Sequence, residues 1–299
     1  PYAAWCEHCV AGKGRDDPHR QGAAADEPEV EMGPELIELD YGFLRTEEAD
    51  DTLLTILVGV HPKSGSGLAA PCRGKGVSDG LALREIEAWL AEIGLLGRVR
   101  IRTDGEPAIT ALAGRVASRR DAMTLLETTP VKSSSSQGSV ERRIQAVAGQ
   151  TRVLRAAVQE AFHMTLSAQH PSFSWMVRHT NYLLNHFQPM RKHQGKTVFE
   201  AIYRRAYELP LCAFGSLVMC RNPAALELGK AELRWQRGVW LGRTTGSTEH
   251  IVSTAVGIRL VRSIRVLAKS SQERQEFMRL AVWSMWQQQP GKPMESEGP

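Results

Sequence analysis

The chain is 299 residues long, 42% hydrophobic and 23% charged, which gives room for about two domains with real cores. It contains no run of about 18 apolar residues, so the sequence offers no membrane span. The formal net charge of +4 hides an asymmetry: residues 1–97 are net −10 and residues 98–299 net +14, and a basic half suits a polyanion partner or a solubilising surface.

The N-terminal stretch opens PYAAWCEHCV, without Met or a signal sequence, and reads as part of something longer. Cys6 and Cys9 form a CxxC, half of a four-ligand Zn²⁺ site. Five cysteines in all argue against a disulfide framework. Residues 1–34 therefore read as the remnant of a zinc-binding module followed by a Gly/Pro/acid-rich linker. ELIELDYGF (35–43) alternates in part and predicts a strand, and TLLTILVGV (52–60) predicts a buried central one. HPKSGSG (61–67) is a turn and LAAPCR (68–73) a third strand. Residues 77–93 have near-helical apolar spacing up to Gly94. VRIRTD (99–104) is a short strand ending in Asp104. A helix over 106–120, a strand over 123–128 and a Ser-rich loop over 128–138 follow.

Val140, Ile144, Val147, Leu154, Val158 and Ala161 mark one stripe of a long helix. Helices over 173–187 and 198–207 complete a mixed α/β layer spanning 35–208. From 209 to 268 short strand-like runs predict a small β-barrel, rich in arginine and carrying Trp235 and Trp240. Trp240 reads as core. Residues 269–299 predict a weak helix, with Phe277, Leu280, Trp283 and Trp286 near one face, and a disordered tail.

Three acids carry the chemical signal. Asp40 lies in the first strand, Asp104 ends the fourth, and Glu141 opens the long helix. Converging carboxylates repel one another unless cations sit among them, and hard oxygen ligands select Mg²⁺ or Mn²⁺. Two such ions suit phosphoryl transfer. An isolated strand-end Asp or helix-start Glu is equally a turn residue or a dipole partner. On the helix, Gln145, Ala148 and Arg152 share the face of Glu141, so Gln145 and Arg152 read as contacts to DNA or as a solvated face. Lys132 in the loop and Arg234 and Arg237 in the barrel are further candidate DNA contacts.

The order LDYGF, IRTDGEPAI, KSSSSQGSVERRIQAV resembles the three blocks of the retroviral and retrotransposon integrase core, the D,D-E group of RNase H-like fold. Between Asp104 and Glu141 lie 36 residues, close to the thirty-five usual there. The segment HTNYLLNHFQPMRKHQGKTVFEAIYRR and the following FGSLVMC resemble the downstream helix, turn and small barrel of copia-like elements. Gly105 stands where Asn is usual, Gln137 precedes Gly138 in place of Asn, and Val198 replaces Pro. The resemblance implies an RNase H-like five-stranded mixed sheet with flanking helices. It implies that Asp40, Asp104 and Glu141 hold two Mg²⁺ or Mn²⁺ ions, and that the chain trims DNA 3′ ends and transfers strands. It further implies element ends and target DNA as partners, a homo-oligomer, a nuclear site of action and an origin in a Gag-Pol polyprotein. A nuclease without strand transfer and a catalytically silent nucleic-acid-binding remnant are the alternatives.

Overall fold

Alternation along ELIELDYGFLR produces β1 (Glu35–Arg45), whose even and odd residues face opposite sides of the sheet. It pairs antiparallel with β2 (Leu53–Val60), from Glu38 opposite Val60 to Arg45 opposite Leu53. The structure is a computed structural model that describes residues 33–46, 53–78, 80–129, 138–221, 230–268 and 273–290. The CxxC and linker (1–32), and the Ser-rich loop with Lys132, lie outside the described residues.

β3 (Gly67–Cys72) adds to β2 antiparallel. α1 (Gly80–Glu92) crosses over to β4 (Val99–Thr103), which runs parallel to β1. α2 (Pro107–Arg119), with Pro in its first turn, leads to β5 (Thr124–Thr128), parallel to β4. The strand order is β3-β2-β1-β4-β5. This mixed, five-stranded, RNase H-like sheet is the one expected.

The two faces of the sheet carry separate cores. Ile37, Leu39 and Tyr41 of β1 join Leu57, Ile101, Ile86 and Leu112 beneath α1 and α2. Leu44, Ile56 and Val58 face the other way, onto α3 (Gly138–Phe162) and α4 (Pro171–Phe187). β2 thus feeds both cores, which is why its sequence is a continuous apolar run. β1 feeds one core with its odd positions. Its even positions, Glu38, Asp40 and Gly42, face α3, and this polarity is what leaves room for a site.

The buried stripe of α3 differs from the expected one. Val140, Val147 and Val158 are buried, Ile144 and Leu154 pack at the margin, and Ala161 is exposed. Arg143 and Thr151 complete the stripe, with Phe162 at its end. Both polar residues find partners on α4: Thr151 with the Thr180 hydroxyl at 3.1 Å, and Arg143 Nη2 with Asn181 and Asn185 Oδ1 at 2.6 and 2.7 Å.

α5 (Val198–Tyr203) follows, opened by a capping box between Thr197 and Glu200. A second sheet contains β6 (Leu217–Arg221), β7 (Trp235–Arg243), β8 (His250–Thr254), β9 (Gly257–Val261) and β10 (Ile264–Val266) in the order β10-β6-β7-β8-β9. It is a five-stranded antiparallel sheet rather than a closed barrel, because among the described residues no ladder joins β9 to β10. β9 instead meets the C-terminal segment, where Ile258 N donates to Gln288 O at 2.8 Å.

The C-terminal segment is built into the fold through Pro290. α6 (Glu273–Leu280) buries Phe277 and Leu280. Phe277 stacks on Phe162, with ring centroids 4.4 Å apart. Beyond it, Trp283 Nε1 donates to Thr254 O at 2.7 Å, and Trp283 O accepts from Trp175 Nε1 at 2.9 Å. The segment therefore ties the second sheet to α4. The described residues from 34 to 290 belong to one compact unit. Among the described residues no helix is long and apolar enough to cross a membrane.

Candidate active site

Parallel pairing of β1 and β4 sets Glu35 opposite Val99 and Glu38 opposite Arg102. Carrying the same register two residues further brings Asp40 level with Asp104, immediately after β4 ends. Two contacts then fix α3 over this part of β1. The Ser139 hydroxyl donates to the Glu38 carboxylate, and Ile144 Cγ2 would lie 3.0 Å from a Cβ placed on Gly42. Glu141 falls between the two contacts along the helix, as Asp40 does along the strand. The three sequence-distant acids are thus drawn to one end of the sheet.

The electrostatics agree with this placement. Burial, opposed by a 2.7 Å hydrogen bond from Tyr41 N–H, and the nearby charges of Asp104, Glu106 and Glu141 raise the Asp40 carboxyl from 3.8 to about 6. Asp104 and Glu141 are exposed. Asp104 Oδ1 accepts from Glu106 N–H at 2.9 Å, a turn that Gly105 completes at φ +83°.

Sequence reasoning missed three further members. Glu106 is a third acid felt by Asp40, beside Asp104 and Glu141, and Lys75 Nζ grips both of its oxygens at 2.6 and 2.8 Å. The Lys75 ammonium also lies over the rings of Tyr41 and Phe43, at 5.5 and 5.1 Å. Glu38, 4% exposed, lies on the face of Asp40 with Arg102 Nη1 at 3.5 Å. The available signal was two-residue spacing: Glu38 precedes Asp40 by one strand period, and Glu106 follows Asp104 by two.

Among the described residues no three His, Cys, Asp or Glu side chains are gathered tightly enough to hold a metal ion as they stand. The carboxylates crowd one another in charge without forming a coordination shell. Their donors are hard oxygens, the class that suits Mg²⁺ or Mn²⁺.

The expected DNA contacts fall into three groups. Gln145 and Arg152 are exposed on α3, and Arg152 lines a cleft of about 200 Å³ with Phe43, Arg45 and Arg155. On the second sheet Arg234 is exposed, whereas Arg237 has Glu276 of α6 at 3.7 Å. Arg243 is buried and holds the carbonyls of Thr248 and Pro210, so it is a structural residue. Trp240 is fully buried, as expected. Lys132, Cys6 and Cys9 lie outside the described residues.

No family model and no curated protein matches the chain. Among solved structures the chain is similar to retroviral integrases. The simian T-cell lymphotropic virus intasome, in complex with a PP2A regulatory subunit, aligns at 15% identity and a TM-score of 0.42, covering 79% of this chain and 80% of that one. The HTLV-2 integrase catalytic core domain in complex with magnesium aligns at 17% identity and a TM-score of 0.40, covering 57% and 98%. The BIV integrase catalytic core domain aligns at 17% and 0.39, covering 57% and 95%.

Proposed function

We propose that the chain is a divalent-metal-dependent polynucleotidyl transferase acting on DNA ends, with Asp40, Asp104 and Glu141 as the ligands of two Mg²⁺ or Mn²⁺ ions. The observation that supports this reading most directly is the charge crowding at Asp40, whose carboxyl feels Asp104, Glu106 and Glu141 together. Crowded carboxylates in a half-buried setting are a standing electrostatic cost that divalent cations relieve. When bound, such ions supply Lewis-acid stabilisation of the phosphoryl oxygens and lower the pKa of the attacking oxygen.

The rest of the work falls to the chain. The β1–β4 register and the α3 anchor bring the three carboxylates toward one part of the sheet, and metal binding would draw them the rest of the way into a coordination shell. Exposed Gln145 and Arg152 extend the Glu141 face along α3, Arg152 toward a DNA phosphate and Gln145 toward a base or sugar. In the first reaction water cleaves a phosphodiester and leaves a 3′ hydroxyl. In the second, that hydroxyl oxygen forms a new P–O bond as the target's P–O3′ bond breaks, so one phosphodiester replaces another and no external energy source is required. Joining two DNA ends in concert calls for more than one copy of the chain. The reading carries with it a mobile-element origin and a nuclear site of action.

The test is a strand-transfer assay with Mn²⁺ on an oligonucleotide with a recessed 3′ end. Joined products from the wild-type protein, absent with Asp104→Asn, are expected. Hydrolysis without joining makes the chain a nuclease. Identical Mn²⁺ titrations of the wild-type protein and Asp104→Asn reject the metal site.

A further inference from the structure

A second site lies at the opposite end of β1. A cavity of about 510 Å³ opens where the β2–β3 turn, the turn after α4 and the end of α5 meet. Glu35, which lines it, is five residues before Asp40, roughly 17 Å along an extended strand. The cavity is therefore separate from the carboxylate cluster, and its role does not rest on the proposed DNA chemistry.

The lining is strongly cationic. Four basic side chains, Lys63, Lys192, Lys196 and Arg204, face one acid, Glu35. That acid is already engaged, by Lys63 Nζ at 2.6 Å and His61 Nε2 at 3.2 Å. Among the described residues no carboxylate lies within ion-pair distance of Lys192, Lys196 or Arg204, although the Lys196 charge is felt by the Glu200 carboxylate. Burial pulls the Lys192 ammonium below its ordinary value, and its charge reaches His61. A partly desolvated ammonium held beside a carbonyl, without a counter-ion, is in the state that gains most from an arriving anion.

The site is also built rather than draped over the surface. A Cβ at Gly65 would stand 2.6 Å from Met190 Sδ and 2.8 Å from Lys192 Cε, so the two turns interlock through a bare glycine at φ +71°. The Lys192 ammonium donates to Pro62 O, and His193 Nε2 meets Ser64 O at 2.7 Å. The 190–196 turn closes on itself, with Met190 N donating to Lys196 O and Gly195 N to Met190 O, both at 3.0 Å. Two non-glycine lining residues, Gln194 and Arg204, hold left-handed backbone at φ 56° and 58°. Each such residue costs about 1 kcal/mol or more.

The geometry points to a binding pocket for a small, multiply charged phosphate compound, its phosphate groups taken by Lys192, Lys196 and Arg204. The phosphate group itself could come from a soluble compound or from a nucleic-acid backbone. The concave shape and modest volume favour the soluble compound, because a duplex backbone needs an open track.

The experiment uses the full chain, with inorganic pyrophosphate as the probe, followed by calorimetry and thermal melting. Saturable binding with a raised melting temperature is expected. Lys192→Gln with Lys196→Gln should weaken binding by about tenfold or more, the scale of losing charge-assisted hydrogen bonds. Asp104→Asn should bind as the wild type does, which separates this site from the carboxylate cluster. If the double variant does not fold, Arg204→Gln, at an exposed position, replaces it and should also weaken binding. Absence of binding at millimolar pyrophosphate, or binding indifferent to all of these lining substitutions, overturns the pocket. Displacement of pyrophosphate by a short DNA duplex overturns the soluble ligand in favour of a backbone phosphate.

Discussion

Ile144 packs directly onto the backbone of Gly42, so closely that a Cβ on Gly42 would stand 3.0 Å from its Cγ2 and 3.2 Å from Ile56 Cγ1. This contact and the Ser139–Glu38 hydrogen bond are the two points that seat α3 on β1 around the Asp40–Glu141 approach. Gly42→Val should push the helix outward. We expect a stability loss of about 1–3 kcal/mol in urea unfolding, the scale of overpacking, and a weaker Mn²⁺ affinity than wild type. Gly42→Ala should show the same signs at smaller size. Unchanged unfolding and Mn²⁺ binding in Gly42→Val would mean that α3 is not held here.

Asp40 supplies a pH prediction of defined sign. Its folded value of about 6 lies above the ordinary 3.8, so the folded protein binds the extra proton between these values. Stability from this group is present at low pH and is lost as pH rises from about 4 through 6. Asp40→Asn should therefore stabilise the metal-free protein above pH 6, by about 1–2 kcal/mol after allowing for partial exposure. The same substitution should weaken Mn²⁺ binding. A metal-free melting temperature at pH 7 equal to or below that of wild type would contradict the crowding.

Much of this was legible in the sequence. Period-two alternation in β1, the apolar run of β2 and the short β4 before Asp104 point to a mixed sheet, and the block order around Asp40, Asp104 and Glu141 picks out acids whose charges reach one another. Glu38 and Glu106 escaped because a single acid one period away looks like any solvated residue until a partner helix covers it. Arg143 escaped for the opposite reason: periodicity marks a buried stripe by apolarity, and here an arginine occupies it through two asparagines on another helix. The open edge of the second sheet and the seat of residues 281–290 depend on contacts more than twenty residues apart in sequence, such as Trp283 with Thr254, which no local pattern encodes.

The buried Arg143 offers a contrast between charge and volume. Burial lowers its guanidinium to about 10, no carboxylate pairs with it among the described residues, and its Nε is unpartnered. A buried charge satisfied only by amide oxygens is costly, and a well-packed apolar replacement of similar length can match it. We expect Arg143→Met to lie within about 1 kcal/mol of wild type in chemical denaturation. Arg143→Ala, which leaves a cavity between α3, α4 and Gly67, should lose about 2–4 kcal/mol. Equal losses in both would show that the hydrogen bonds to Asn181 and Asn185, not the packing, hold the helices together.

Three histidines oppose Asp40 in sign: His179 and His250, between α4 and the second sheet, and His186, packed against Phe199 of α5 and Tyr207. Burial lowers His179 to about 3, with Arg178 adding to the effect. Burial lowers His186 to about 4 against a hydrogen bond to Tyr182 O, and His250 to about 4 with help from the Arg243 charge. Each is neutral when folded and binds a proton when unfolded below 6.5, so the stability they contribute is complete above pH 6.5 and is lost as pH falls toward 4. His250 shows why the proton is excluded: its Nδ1 accepts the indole N–H of fully buried Trp240 at 3.0 Å, and protonation there would remove the acceptor. Near pH 5 the three histidines together take up about three protons on unfolding, and Asp40 releases about one, so these four groups give a net uptake of about two. The urea midpoint should accordingly fall between pH 7 and 4.5 despite the opposing contribution of Asp40. His250→Gln keeps an oxygen for the Trp240 indole but cannot take a proton. It should remain close to wild type at pH 7 and lower the proton uptake on unfolding at pH 5 by about one. An unchanged pH slope in His250→Gln would show that this ring is already protonated, or already out of the core, in the folded protein.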